Sequence, residues 1–373
     1  MSALPGSRPF PELYVPHLGW FVHEPEDAVA LYLNQGWFEY REQAFAWLYL
    51  REGDTVLDCG AHFGLYSVLA GHAIGSGRVL AVEANPATVP VLQRNLEAHR
   101  TPGACAIARA VAAENGESRF YPAAPGRAAY SSLIPEDEAQ EAVAVAATTL
   151  DQLLDEQGVA RADFAKIDVE GAEIDVLRGA ARSLAEGRLP LVMIECSEAN
   201  LRRAGRDTRA LFAQFEASAC PVWSFDPDQM RLVPRACEGP IWYENLFLTR
   251  EPDAVNQRLR SAPEARRRLA AEILTRGRAA DGLYRRVEEA SQVVSQARQS
   301  EEEAYRRLGE TNWRLEQTTG ELRQEQRLLR ELAAHLQPYL ASRYVRLGWK
   351  LHVLHRPEWL MRFVSTRRES DNA

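Results

Sequence analysis

Lysine is almost missing from this 373-residue chain. Among 44 basic residues only Lys166 and Lys350 are lysines. A lysine kept in such an arginine-rich chain marks a position where a planar guanidinium is a poor substitute for a compact ammonium. Cysteine is also scarce. Cys59, Cys105, Cys196, Cys220 and Cys237 are odd in number and show no CxxC spacing, which argues against a disulfide framework or a zinc site. The eight histidines form no HExxH pair, so no histidine-built metal site is expected. No apolar run reaches the roughly 18 residues that a membrane-spanning helix needs. The opening MSALPGSRPFPELYVP lacks a basic region followed by an apolar core, so no signal peptide is expected. The expected compartment is the reducing cytoplasm. Basic charge is short in the front of the chain: residues 1–250 hold 21 basic and 34 acidic side chains, against 23 and 18 in residues 251–373. That deficit argues against nucleic acid as a partner, because phosphate contacts need clustered Arg and Lys.

What is present is alternation. The apolar runs TVLDC (55–59), RVLAVE (78–83), CAIARAV (105–111), FAKIDV (164–169), LVMIEC (191–196) and ENLFLT (244–249) alternate with helix-like segments. This pattern predicts βαβ units on a parallel sheet covered on both faces. SFDPDQMRLVP has the turn chemistry of a hairpin, and residues 221–249 read as antiparallel. An aromatic helix around GWFEYREQAFAWLYL is expected over the sheet edge or a ligand cleft, with Trp37 and Phe38 in a lid or in the core.

Proline is absent between Pro263 and Pro338. A heptad register there places Val287, Val294, Glu301, Leu308, Leu315, Leu322, Leu329 and Leu336 at position a, over a weaker d seam with small residues such as Ala290, Ala297 and Ala304. This predicts a coiled coil and a homo-oligomer, against the alternative of one long helix folded back on the domain. Gly309 and Gly320 each cost about 1 kcal/mol of helix propensity, so fraying is expected there. The tail mixes Arg343, Arg346 and Lys350 with Trp349, Leu351 and Trp359. It reads either as a small helical cap or as an interfacial segment giving peripheral contact at the inner membrane surface. The expected organisation is therefore an N-terminal extension (1–35), an α/β domain (36–250), a coiled coil (263–337) and a basic aromatic tail (338–373).

The first strand of the α/β domain ends in VLDCGAHFGLYS. Asp58 closes the strand, and Gly60 and Gly64 follow in a turn that lets backbone approach a ligand without a Cβ. Glu83 closes the second strand, where an acid can accept both hydroxyls of a ribose. A dinucleotide site would need G-x-G-x-x-G, and D-C-G-A-H-F-G does not supply it.

VLDCGAHFGLYSVLA resembles the first motif of FkbM-type methyltransferases, D-x-G-A-N-x-G, and FAKIDVEGAEIDVLRGA is similar to their K-I-D-x-E-G-x-E stretch. TTLDQLL and ENLFL also resemble family positions, and the likeness covers residues 36–249. It implies an α/β class I methyltransferase fold, a Rossmann-like doubly wound sheet with an antiparallel last strand, here followed by the long helical arm. It also implies S-adenosyl-L-methionine as cofactor, held by Asp58, Gly60, His62, Gly64, Glu83 and Asp168. His62 stands where the family more often has Asn, and E-A-N-P stands where it often has Glu-Pro.

In that fold Asp58, Asp168 and Glu195 come together at neighbouring strand ends, with Glu170 on the loop that follows. Crowded carboxylates repel and raise the pKa of at least one of them. Asp168 or Glu170 is the candidate base or orienting group for the acceptor, unless Asp168 only positions the methionine end of the cofactor. Lys166, on the same strand face as Asp168, is the candidate counter-charge, against the alternatives of a solvent-reaching lysine at a ragged strand end and of a divalent metal neutralising the cluster, to which no metal ligand is assigned. Tyr130, Ser131 and Ser132 belong to a loop placed to cover a substrate. The resulting expectation is O-methylation of a glycan or glycosylated intermediate. The alternatives are a small secondary metabolite as acceptor and a non-catalytic coiled-coil scaffold.

Overall fold

The computed structural model describes residues 10–36, 38–101, 103–123, 131–135 and 139–340, side chains at 288, 339 and 340 excepted. Trp37, Tyr130 and the tail from residue 341 lie outside the described residues, and with them the expectations placed there.

The chain opens with the hairpin β1 (Glu12–Val15) and β2 (Gly19–Val22), then α1 (Ala28–Gln35) and α2 (Tyr40–Tyr49). The α/β alternation follows as β3 (Thr55–Cys59), α3 (Leu65–Ile74), β4 (Arg78–Glu83), α4 (Val89–Ala98) and β5 (Ala104–Ala108). Next come β6 (Ala110–Val111), β7 (Gly116–Phe120), β8 (Val143–Thr148), α5 (Leu150–Glu156), β9 (Phe164–Ile167), α6 (Glu173–Gly179), α7 (Ala181–Ala185) and β10 (Val192–Cys196). The rest is α8 (Glu198–Arg203), α9 (Thr208–Ala217), β11 (Val222–Asp226), β12 (Arg231–Pro234), β13 (Glu244–Leu248), α10 (Pro252–Arg260) and α11 (Glu264–Leu340).

The main sheet runs β12-β11-β13-β10-β9-β3-β4-β5. Strands β5, β4, β3, β9 and β10 are parallel. The strand β13 enters antiparallel beside β10, as expected of the last strand. The SFDPDQMRLVP segment forms the β11–β12 hairpin, with Asp226 opposite Arg231. Strand order reverses between β3 and β9, so their carboxyl ends open a crevice, the position where ligands bind in doubly wound sheets. CAIARAV does not form one strand. It changes sheet at Arg109, and β6 joins a small second sheet beside β8.

Two layers of core cover the sheet. Leu57, Leu80, Ile167 and Ile194 pack beneath α5, α6 and α9, while Val56, Val79, Phe164 and Phe247 face the N-terminal elements. The N-terminal residues are part of this second layer: Leu13, Val15 and Phe21 are buried in it. Helix α2 packs on the sheet face, not its edge. Fully buried Phe45 stacks on Tyr49 at 5.7 Å and meets Phe164, Phe225 and Phe247 from three strands, the last at 4.3 Å. Phe38 is half-buried against the same core.

Two compact units divide the chain, Met1–Arg285 and Arg286–Ala373. The first includes the start of α11, beyond the boundary at 250 expected from sequence, because Ala270, Ile273 and Leu274 are buried in the core. Gly277 allows the close approach, since a Cβ there would sit 2.0 Å from the Tyr40 ring. The described part of the second unit is helical through Leu340. It is unbroken at Gly309 and Gly320, where fraying is expected. Val287, Val294, Leu308, Leu315, Leu322 and Leu329 are all exposed on it.

Phe45 ties α2 to three strands, so its truncation leaves a cavity that the sheet cannot close. Phe45→Ala is expected to lose about 3–5 kcal/mol of stability, read from the midpoint of urea unfolding.

Candidate active site at the carboxyl ends of the central strands

The crevice is a cleft of about 670 Å³. Asp58, Gly60, His62, Glu83, Lys166, Asp168 and Glu170 all line it; of the site residues expected from sequence, only Gly64 stands back. Gly64 starts α3 instead, in a left-handed conformation at φ 95°.

The loop after β3 is built by backbone contacts. Gly60 N and Ala61 N both donate to the Val82 carbonyl, at 2.9 and 3.0 Å, which ties the loop to β4. Gly60 has φ +80°, and a Cβ there would lie 1.7 Å from the Asp168 carbonyl oxygen. No other residue type lets the β3 and β9 loops meet so closely. His62 N donates to Glu83 Oε2 at 2.8 Å, and Asn85 N donates to Oε1 at 2.7 Å. Each carboxylate oxygen of Glu83 is thereby fixed and keeps a lone pair for a ligand. Burial pushes the Glu83 carboxyl above its usual range.

The His62 side chain turns to the N-terminal segment. Its Nε2 lies 3.1 Å from Asp27 Oδ2, an ion-pair distance outside hydrogen-bond geometry. The other Asp27 oxygen caps α1 through Ala30 N. Burial disfavours the imidazolium, but the Asp27 carboxylate, reinforced by Glu83 and Glu24, outweighs it and raises the His62 pKa above 6.5.

At the ends of β3, β9 and β10 the carboxylates gather. Asp58 Oδ2 accepts from Ser67 Oγ at 2.6 Å, while its buried Oδ1 has no partner among the described residues. Burial raises the Asp58 carboxyl above its ordinary value. Lys166 is 4 % exposed, paired with Asp168 Oδ2 at 2.6 Å and lying 4.8 Å from the centre of the Tyr66 ring. Burial works against its charge, but Asp168, Glu39 and Asp58 together raise its pKa. Asn200 Nδ2 donates to Glu170 Oε2 at 2.7 Å and to Glu195 Oε2 at 3.3 Å. Burial, and after it the like charge of Asp168, pushes both glutamates well above the usual carboxylate range. Glu170 sits at φ 55°, and its carbonyl is held by Ser132 Oγ and Arg203 Nη2, each at 2.7 Å. Ser131 also lines the cleft, its hydroxyl accepting from Ala123 N.

The start of the GWFEYREQAFAWLYL helix lines the opposite wall, as one of the two expectations for it had it, but sequence reasoning did not single out Glu39 there. Glu39, 8 % exposed, accepts from Tyr243 Oη at 2.7 Å and from Asn245 Nδ2 at 2.8 Å, and its buried Oε2 has no partner among the described residues. Glu39 lies more than 200 residues from both partners, so no local motif signals it.

Residues 58–231 match the Methyltransferase FkbM domain family. This stretch, just under half of the chain, is similar to the FkbM methyltransferases. Two curated relatives are similar to it. Methyltransferase 1 of Beauveria bassiana (strain ARSEF 2860) is 30 % identical over 145 residues, covering 33 % of this chain and 57 % of its own length. Methyltransferase sdnD of Sordaria araneosa is 30 % identical over 156 residues, covering 33 % and 59 %. The chain therefore spans under three-fifths of the length of either relative. Among solved structures, precorrin-6y C5,15-methyltransferase from Geobacter metallireducens GS-15 covers 56 % of this chain and 88 % of its own, at 13 % identity and a TM-score of 0.33. A likeness that weak identifies neither reaction nor ligand.

The His62–Asp27 pair, which joins the N-terminal segment to the loop after β3, yields a pH dependence. The folded-state pKa of His62 lies above its value of 6.5 in the unfolded chain. The pair's contribution is therefore complete below about pH 6.5 and lost as pH rises through the folded value. The gap in melting temperature between wild type and His62→Gln is expected to be widest near pH 6 and to narrow by about pH 9, read by differential scanning fluorimetry.

Proposed function

We propose that the chain transfers a methyl group from S-adenosylmethionine to a hydroxyl of a glycan or a glycosylated intermediate. The observation that carries this reading is the placement of Glu83. It stands at the end of β4, its carboxylate fixed by two backbone N–H groups, beside the Gly60 loop and within the span of the FkbM match.

The cleft suits such a cofactor. Glu83 keeps free lone pairs for two ribose hydroxyls, and Asp58 has a buried carboxylate oxygen with no partner among the described residues. The wall is rich in carboxylates, which favours a ligand carrying an ammonium and a sulfonium. The bound cofactor would supply an activated methyl on sulfur. The residues of the chain do the rest. Gly60, Ala61 and His62 shape the floor, and Glu83 and Asp58 hold the polar ends. Asp168, its charge kept in place by Lys166, orients the acceptor hydroxyl and takes its proton, and Glu170 orients the same group from the adjacent loop. The gain comes from alignment of acceptor, methyl and leaving sulfur more than from acid–base power. Glu39, Tyr243 and Asn245 supply the polar wall that a sugar needs.

Glu83→Ala is expected to weaken S-adenosylmethionine binding by about 1.5–3 kcal/mol, the value of a hydrogen bond to a charged group. Isothermal titration calorimetry reads it, and an unchanged affinity in a folded variant would remove Glu83 from the site.

The arm belongs to the same proposal. Its a-position valines and leucines from Val287 to Leu329 are exposed along the helix, and a heptad stripe is self-complementary to a second copy of itself. The full chain is expected to be a homo-oligomer by multi-angle light scattering, and a chain ending at Arg285 a monomer. A monomeric full-length protein would rule the coiled coil out.

A further inference from the structure

We propose that Asp168, Glu170 and Glu195 hold one divalent cation of the hard, oxygen-seeking kind, with Asn245 on its open side. One carboxylate oxygen from each of the three acids lies within 4.8 Å of the others. Two oxygens on opposite sides of one such ion stand about 4–5 Å apart, since hard cations bind oxygen at about 2.0–2.6 Å. The three acids are thus spaced to share one ion. The donor set is all oxygen, without the nitrogen or sulfur that selects zinc. Lys166 balances only one of the three charges, through Asp168.

A carboxylate cluster alone does not identify a cation site, because protons can neutralise it. The independent observation is Asn245. It stands directly opposite Glu195 in the β10–β13 ladder, so both side chains lie on the same face of the sheet, and both line the cleft. Asn245 is 4 % exposed, and its amide nitrogen is spent on Glu39. Its amide oxygen is buried with no partner among the described residues. A buried carbonyl-type oxygen without a donor is costly, and a cation or its bound water is the ligand that satisfies it. The carboxylates are also posed independently of the ion. Asn200 Nδ2 donates to the Glu170 and Glu195 carboxylates, Ser132 and Arg203 hold the Glu170 carbonyl, and β10 holds the Glu195 backbone.

The proposal deepens the methyltransferase reading and rests on it for a role. A cation at the ends of β9 and β10 would let Asp168 and Glu170 orient the acceptor hydroxyl through the ion, which favours acceptors with two adjacent oxygens.

The test titrates MnCl2 into the full-length protein and reads bound Mn²⁺ by electron paramagnetic resonance, with S-adenosylhomocysteine binding by calorimetry on the same samples. One saturable Mn²⁺ per chain is expected. Glu195→Gln and Glu170→Gln should each weaken it at least tenfold, and Asn245→Ser severalfold. Should Glu195→Gln lose its cooperative melt, Glu170→Gln carries the test, since its carbonyl contacts survive. No saturable Mn²⁺ in the wild type, or equal affinity in wild type and variants, overturns the proposal. Mn²⁺ binding without S-adenosylhomocysteine binding would instead keep the cation site and sink the cofactor reading.

Discussion

A single ammonium group makes the centre of this fold possible. Lys166 Nζ lies between Asp168 and the face of Tyr66, at the end of a strand covered on both sides. Its strand partner across β3 is Asp58. Asp58 and Asp168 thus end adjacent parallel strands, and like charges so placed would force them apart without a cation between. An arginine would need room for a planar fork, whereas the compact ammonium fits among the carboxylates while its stem stays in the core. In a chain that otherwise uses arginine almost throughout, the lysine at 166 follows from that geometry.

The rest of the site follows from how far that one charge reaches. Asp168 takes it directly. Glu170, Glu195 and Glu173 are beyond its contact and are raised instead, Glu173 to about 7, with burial as the main cause. Glu42, on the other wall, is raised to about 7 by burial and by Glu39. The cleft thus holds one acid tied to a lysine among several that burial pushes toward the neutral form.

How much of this was legible in the sequence depended on distance along the chain. TVLDC and RVLAVE became β3 and β4 residue for residue, because a strand covered on both faces is a continuous apolar run with a polar residue at its end. The same rule placed Asp58, Glu83 and Asp168 at one rim, and the period of two along β9 put Lys166 beside Asp168. CAIARAV misled, since apolar character does not say which sheet a strand joins. The N-terminal hairpin, the Asp27–His62 pair and the Glu39–Tyr243–Asn245 wall were not legible. Each joins segments far apart in the chain, and a lone Glu or Asp in an aromatic stretch has no periodicity to betray it.

Backbone strain marks the same place. Seven non-glycine residues among those described have positive φ, and three of them, Glu39, His62 and Glu170, line the cleft. A left-handed conformation costs a residue with a Cβ about 1–2 kcal/mol. It persists only where the surroundings fix it, and each of the three is fixed differently. Glu39 is held by its carboxylate, His62 by its N–H and its imidazole, and Glu170 by its carbonyl. All three lie on loops leading into helices, where glycine would remove the strain but also the side chain. The chain keeps the side chain and bears the strain on both walls of the cleft, where each side chain or backbone group makes a contact that glycine could not make or would not need.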